Sequence, residues 1–190
     1  MEREIDQYRD ILFSDQNERL FSEWEEIDKI YGNDKEINVL IRKRNSYKLP
    51  IVYEVVYNIK SICGVKPKDA NGLQLPEFAD SFRMRISLPN NYPSADAPPA
   101  FNFIAYDKVG NEIPLPWHPN IRYFGDFAGR VCLNFKDSGT FANLAWHIGR
   151  VANYLKYNIY HAENVYPFPE DPVVAEWVTD QAAPNQWLKF

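Results

Sequence analysis

The sequence is poor in several things, and each shortage removes a class of function. Basic residues are outnumbered, 21 Lys and Arg against 26 Asp and Glu, for a formal net charge of −5. A protein that grips a phosphate backbone by displacing counterions carries the opposite balance. Nucleic acid is therefore not an expected partner. Cysteine is scarce: Cys63 and Cys132 stand 69 residues apart, with no CxxC pair and no histidine at zinc-ligand spacing from either. A disulfide framework and a metal site are both disfavoured, and no cofactor is expected. Long apolar runs are missing as well. The longest, Ile51 to Tyr57, is broken by Glu54, and the opening MEREIDQYRD is charged where a secretory signal would be apolar. No membrane partner follows, and the expected location is cytoplasmic. Glycine is sparse, 8 residues against 14 prolines, and there is no fixed-period repeat. With 190 residues, 45% hydrophobic and 15% aromatic, the chain has the supply for one cored domain.

Hydrophobic periodicity orders that domain. Leu20, Trp24, Ile27 and Tyr31 recur on one face of a helix over residues 15–31. Asp15 with Glu18 resembles a capping box, and Glu18, Glu23, Glu25 and Asp28 form an acidic opposite face. Val39 to Ile41 and Ile51 to Ile59 are two strand-like runs joined by the basic RKRNSYKLP. Residues 61–81 are turn-rich and predict a long connection. Phe82, Met84, Ile86 and Leu88 then alternate with Arg83, Arg85 and Ser87, as in a strand with one wet face. Phe101 to Tyr106 predicts one more strand. Residues 111–140 predict a structured loop, and Leu144, Ile148, Val151, Leu155 and Ile159 line a long amphipathic helix. Asp171 as cap and Pro172 in the first turn predict a last helix over Val173 to Val178. The order predicts an α+β fold: N-terminal helix, four-stranded antiparallel sheet, long active-site loop, C-terminal helices.

Three motifs lie in order along this frame: Tyr92-Pro93 with Pro98-Pro99, then His118-Pro119-Asn120, then Gly129-Arg130-Val131-Cys132-Leu133, followed by the bend Glu170-Asp171-Pro172. In that order they resemble the ubiquitin-conjugating enzyme family. The resemblance runs from about residue 17 to 178. It implies an enzyme that takes the C-terminus of a ubiquitin-like protein from an activating enzyme as a thioester and passes it to an amine on a target protein. Cys132 matches the acceptor cysteine, and Asn120 the asparagine of the HPN motif. A thiolate is both nucleophile and leaving group, so one sulfur can receive and release the acyl chain. An asparagine amide near the thioester can donate to the developing oxyanion or brace the loop. By the same resemblance His118, Pro119, Gly129 and Asn134 shape the site.

Departures from the family pattern carry expectations of their own. His118 and Cys132 are 14 positions apart, longer than usual, so RYFGDFAG contains an insertion of a few residues. Asn134 stands where aspartate is common, and Tyr166 where the family has an acid that orients the incoming lysine. Glu163, Asn164, Glu170 or a phenol are the candidate substitutes. Ser94-Ala95-Asp96-Ala97 and Phe141-Ala142-Asn143 replace the two loops that would anchor a RING-type ligase, so such a ligase is not an expected partner. The acidic first helix fits an ordinary eukaryotic activating enzyme poorly. These traits resemble the divergent conjugating enzymes of bacterial ubiquitin-like systems, several of them in anti-phage defence.

The expected division is an N-terminal extension (1–16), a catalytic domain (17–178) and a C-terminal tail (179–190). Two readings of the whole stay open: the thioester-carrying transferase, and a catalytically silent variant or RWD-like binding module on the same fold. Cys63 has no motif around it and is expected to be a packing residue. His147 and His161 are expected to be structural or surface residues. The cluster Arg42, Lys43, Arg44 and Lys48 is either a solvated strand end or a docking site for an acidic partner.

Overall fold

The computed structural model describes residues 4–8, 15–93, 98–133, 143–166 and 168–182. Helix α1 (Asp15–Tyr31) comes first, preceded by a short turn over Glu4–Tyr8. Strands β1 (Ile37–Arg44), β2 (Pro50–Tyr57), β5 (Phe82–Ser87) and β6 (Ala100–Phe103) form one antiparallel sheet in the order β1-β2-β5-β6. Helix α2 (Leu144–Leu155) and the short α3 (Pro172–Trp177) follow. This is the α+β arrangement that periodicity predicts.

Alternation decides which face of the sheet is dry. Phe82, Met84 and Ile86 of β5 are fully buried while Arg83 and Arg85 are exposed. In register with them, Tyr53, Val55 and Tyr57 of β2 turn the same way. Leu20, Trp24 and Ile27 of α1, with Leu144, Ile148 and Val151 of α2, complete this main core. Two phenols tie helix α2 to its neighbours: Tyr57 Oη donates to the Ile148 carbonyl at 3.1 Å and Tyr31 Oη to that of Ala145 at 2.8 Å. The other face is polar. There Glu54 accepts from Arg42 Nε at 2.8 Å, and Arg42 first, then Arg83 and Arg85, hold its carboxyl below the usual range against the opposing effect of burial.

The fold differs from expectation at four places. Residues 61–81 are a second sheet, not a plain connection: β3 (Ser61–Val65) pairs with β4 (Pro76–Ala79). The hairpin turn between them is built on Asp69, whose Oδ1 accepts from the amides of Asn71 and Leu73. The last sheet strand is short, and Tyr106 lies beyond it, exposed. Helix α2 stops at Leu155, where Tyr157 takes a positive φ of 53°, so Ile159 leaves the helical stripe for an exposed segment. Glu23, expected on the acidic outer face of α1, is only 1% exposed. Its Oε1 accepts from Tyr92 Oη and pairs with Arg19, both at 2.6 Å, and its Oε2 accepts from the Leu144 amide at 2.7 Å. One buried carboxylate thus joins α1, the Tyr92-Pro93 loop and the start of α2.

The basic cluster is largely consumed within the molecule. Arg42 pairs with Glu54, and Arg44 with Glu4 at 2.9 Å while lying over the Trp24 ring. Ile5, in the turn before α1, is 2% exposed and belongs to the main core. No helix among the described residues is long and apolar enough to cross a membrane.

Candidate active site

The site residues hang between the main core and a smaller second one. Trp117 is the centre of the second, with Ile62, Tyr157, Val174, Trp177 and Val178 around it. Its amide donates to the Ile62 carbonyl at 2.8 Å, and its own carbonyl accepts from Tyr157 Oη. Trp117 therefore enters the turn that follows with its direction set by the second core.

His118 is 1% exposed and stacks on Tyr154 with ring centroids 4.8 Å apart. The Asn120 amide donates to Nδ1 at 3.1 Å, so Nε2 carries the proton and donates to the Ile159 carbonyl at 3.1 Å. Burial pushes its pKa down to about 3, against the opposing pull of that carbonyl. A neutral ring with both nitrogens committed shapes a loop and cannot relay protons. Pro119 is buried, and its carbonyl accepts two amides from the distant bend, Glu170 at 2.8 Å and Asp171 at 3.1 Å.

Asn120 is half-buried, and its Oδ1 accepts from the His161 amide at 3.0 Å. The acceptor end of the carboxamide is thereby fixed, which leaves its Nδ2 protons as the end that can serve an oxyanion. The Asn120 carbonyl accepts from the Cys132 amide at 2.8 Å. So the asparagine and the cysteine, 12 positions apart in sequence, are direct neighbours. Cys132 is half-buried, its carbonyl accepting from Tyr154 Oη at 3.2 Å.

The insertion leaves that contact intact. Residues 121–131 fold back as a closed loop: Ile121 bridges Val131, the Arg122 amide donates to the Arg130 carbonyl at 2.8 Å, and the Gly129 amide to that of Arg122 at 2.7 Å. The extra residues project as a tip with Phe127 exposed, and the distance across the base stays that of paired strands. On its other side the returning arm pairs with β6, where the Phe103 amide donates to the Gly129 carbonyl at 2.7 Å and the Val131 amide to that of Phe101 at 3.0 Å. Gly129 has φ +91°, and a Cβ there would lie 2.2 Å from the Phe103 carbonyl oxygen. Only glycine fits.

The bend at Glu170 and Asp171 braces this loop from outside. Asp171, 1% exposed, accepts from the Tyr123 and Phe124 amides at 2.9 and 3.3 Å through Oδ2 and caps α3 through Oδ1. Glu170 Oε1 accepts from Arg130 Nε at 2.7 Å, with Arg130 Nη2 at 2.5 Å and Arg122 Nε at 3.8 Å. Among the acceptor-orienting candidates, Glu170 is thus occupied by arginine, while Glu163 and Asn164 are exposed on the segment that holds Asn120. Asn134 lies outside the described residues, as do the loop 94–97 and Phe141-Ala142; Asn143 caps α2, accepting from the Trp146 amide at 2.8 Å.

Two solved structures share this architecture. A Plasmodium yoelii protein described as a ubiquitin conjugating enzyme matches with a TM-score of 0.52 over 92% of this chain and 90% of that one, at 19% identity. The ubiquitin conjugating enzyme Pex4p of H. polymorpha, solved with the soluble domain of Pex22p, matches with a TM-score of 0.54 over 92% and 94%, at 15% identity. The chain has the ubiquitin-conjugating-enzyme fold. No family model and no curated protein matches its sequence.

Within the ubiquitin-conjugating-enzyme fold the two cysteines part company. Cys63 sits on β3, where burial first and Glu77 second push its thiol pKa up, which disfavours the thiolate. Its carbonyl accepts from Tyr123 Oη at 2.6 Å, a packing duty. Cys132 alone adjoins Asn120. Among the described residues no group of three or more His, Cys, Asp or Glu converges as a metal site would. Sequence inspection does not reveal the His161 amide, the Tyr154 hydroxyl or the two arginines as members of the site. The signal for Arg130 is its place inside the Gly129 to Leu133 motif; the others act through long-range contacts that no local pattern records.

Proposed function

We propose that the protein is a ubiquitin-conjugating-type transferase that carries a ubiquitin-like protein on Cys132 as a thioester. The observation that carries this reading is the 2.8 Å hydrogen bond from the Cys132 amide to the Asn120 carbonyl, which joins the two motif residues across the insertion between them. In the first step the Cys132 thiolate attacks the thioester carbonyl presented by an activating enzyme; a new S–C bond forms and the activating enzyme's sulfur leaves as thiolate. In the second, an amine of a target protein attacks that carbonyl, a C–N bond forms, Cys132 departs as thiolate and the amine loses its proton to solvent. The carboxamide of Asn120, held by the His161 amide, turns its Nδ2 protons to the charge that develops on oxygen. His118 stays neutral and holds the turn. Glu163 and Asn164 remain as residues to orient the amine, since Glu170 is engaged by Arg130.

The partners on this reading are a ubiquitin-like protein, its activating enzyme and a target, in a bacterial-type, anti-phage conjugation pathway. Ubiquitin, and ubiquitin-like proteins ending in glycine, supplied as C-terminal thioesters of mercaptoethanesulfonate, test the chemistry without the activating enzyme. The expected product is an adduct on Cys132 that thiol reductant removes and Cys132→Ala abolishes. An adduct that persists in Cys132→Ala, or none with any of these donors while iodoacetamide still reaches Cys132, would overturn it.

A further inference from the structure

The bend at residues 170–171 grips both arms of the site, and by two different means. Its amides hold the HPN arm through the Pro119 carbonyl. Its Glu170 carboxylate holds the cysteine arm through Arg130, two residues before Cys132, with Arg122 on the opposite arm of the insertion within 3.8 Å. Arg130 in turn covers the Phe127 ring at 4.8 Å, so the tip of the insertion is tied to the same carboxylate.

Stability does not explain this ion pair. The side chains of Glu170, Arg130 and Arg122 are 13%, 47% and 32% exposed, and pairs this open to water contribute little to folding. Asp171 already supplies the buried anchor, spanning α3 and the insertion. Glu170 adds a restraint at a different place, on the arm that ends in Cys132, where the sulfur must meet a carbonyl carbon and an oxyanion must meet Asn120.

We propose that Glu170 is a positioning residue for acyl transfer, acting through Arg130 to keep the Cys132 arm registered against Asn120. The proposal rests on the transferase reading above. A displacement of about an ångström in such an arrangement is enough to cost one to two orders of magnitude in rate, whereas the fold would hardly register it.

The test compares the whole protein with Glu170→Ala, Arg130→Ala and the exchanged pair Glu170→Arg with Arg130→Glu. Three readouts are followed: melting temperature, amide exchange at Cys132 and Met84 by NMR, and single-turnover discharge of the preloaded thioester to hydroxylamine. The expected result for each single variant is a melting temperature within about 4 °C of wild type. Exchange at Cys132 rises about two- to five-fold while Met84 is unchanged, and the maximal discharge rate falls on the order of tenfold. The exchanged pair restores both. Unchanged protection at Cys132 in Glu170→Ala, an equal rise at Cys132 and Met84, or no recovery in the pair would overturn the proposal. If the wild type takes up no acyl group, the transferase reading fails, and the exchange arm still decides whether Glu170 registers the Cys132 arm.

Discussion

The main core under the sheet and the smaller core around Trp117 are built on different principles. The first is made of periodic elements: alternate residues of β2 and β5 and one stripe each of α1 and α2 bury their apolar sides together. The second has no periodicity. Ile62 from a small hairpin, Trp117 and Tyr157 from loops, and Val174 and Trp177 from a six-residue helix meet around one indole. Regular elements satisfy their own backbone, so the main core needs few specific polar contacts. The loops that run between the two cores cannot, and nearly every link in the site is a hydrogen bond: the Trp117, Asn120 and Cys132 amides, the Pro119 carbonyl, the Asp171 carboxylate.

This contrast can be tested from its strongest contact to its weakest. Trp117→Ala removes the centre of the small core, and a cost of about 3–5 kcal/mol is expected from lost packing. Denaturant unfolding should show α3 and the Trp117 loop losing protection before the sheet; simultaneous loss would mean that the two cores are one cooperative unit. Glu23→Ala tests the main core's exception, its one buried, three-way carboxylate. Breaking such a group typically costs about 3–5 kcal/mol, and a change below about 1 kcal/mol in the unfolding midpoint would show that α1 and α2 pack without it.

Gly129→Ala addresses the seam between the cores. With φ at +91° and the Phe103 carbonyl oxygen in the path of any Cβ, a loss of about 2–3 kcal/mol is expected, with acyl uptake by Cys132 falling more steeply than stability. A smaller penalty still comes from pH. His118 is neutral in the fold with a pKa near 3, whereas in the unfolded chain it titrates at about 6.5. Between these values the unfolded state binds the extra proton, so stability is lost as pH falls below about 6.5 and continues to fall towards 3. At pH 5.5 the loss from His118 should be about 1.4 kcal/mol relative to pH 7.5, and His118→Gln should remove that share of the slope. At the bottom of the scale, Arg42→Ala on the polar face of the sheet should leave the unfolding midpoint nearly unchanged, because its pair with Glu54 lies partly in water.

The same contrast explains which parts were legible in advance. Helix α1, strand β5 and the cap and proline of α3 were readable because hydrophobic period and capping chemistry are local. The β3–β4 hairpin carries no such signal: its strands are short, and Gly64 and the turn at Asp69 interrupt any alternation. The helical period places Glu23 on the acidic face of α1, yet it is drawn inward by Arg19, Tyr92 and the Leu144 amide, two of them far along the chain. Cys132, Asn120 and Gly129 were readable as motif positions. Whether the insertion separated Cys132 from Asn120 was not, since a loop's path depends on where its ends are tied.

The sequence by itself therefore determined the layered α+β frame and the residue types at the site, and it singled out one of two cysteines. Tertiary structure decided that Asn120 and Cys132 touch, that Glu170 faces arginine, and that the thiol of Cys63 is raised. The physical reason is range. Periodicity and caps act within a turn or two of the chain. The site is closed by contacts spanning roughly 40 to 60 residues, from Asp171 to Tyr123, from His161 to Asn120 and from Tyr123 to Cys63, which exist only once both cores have formed.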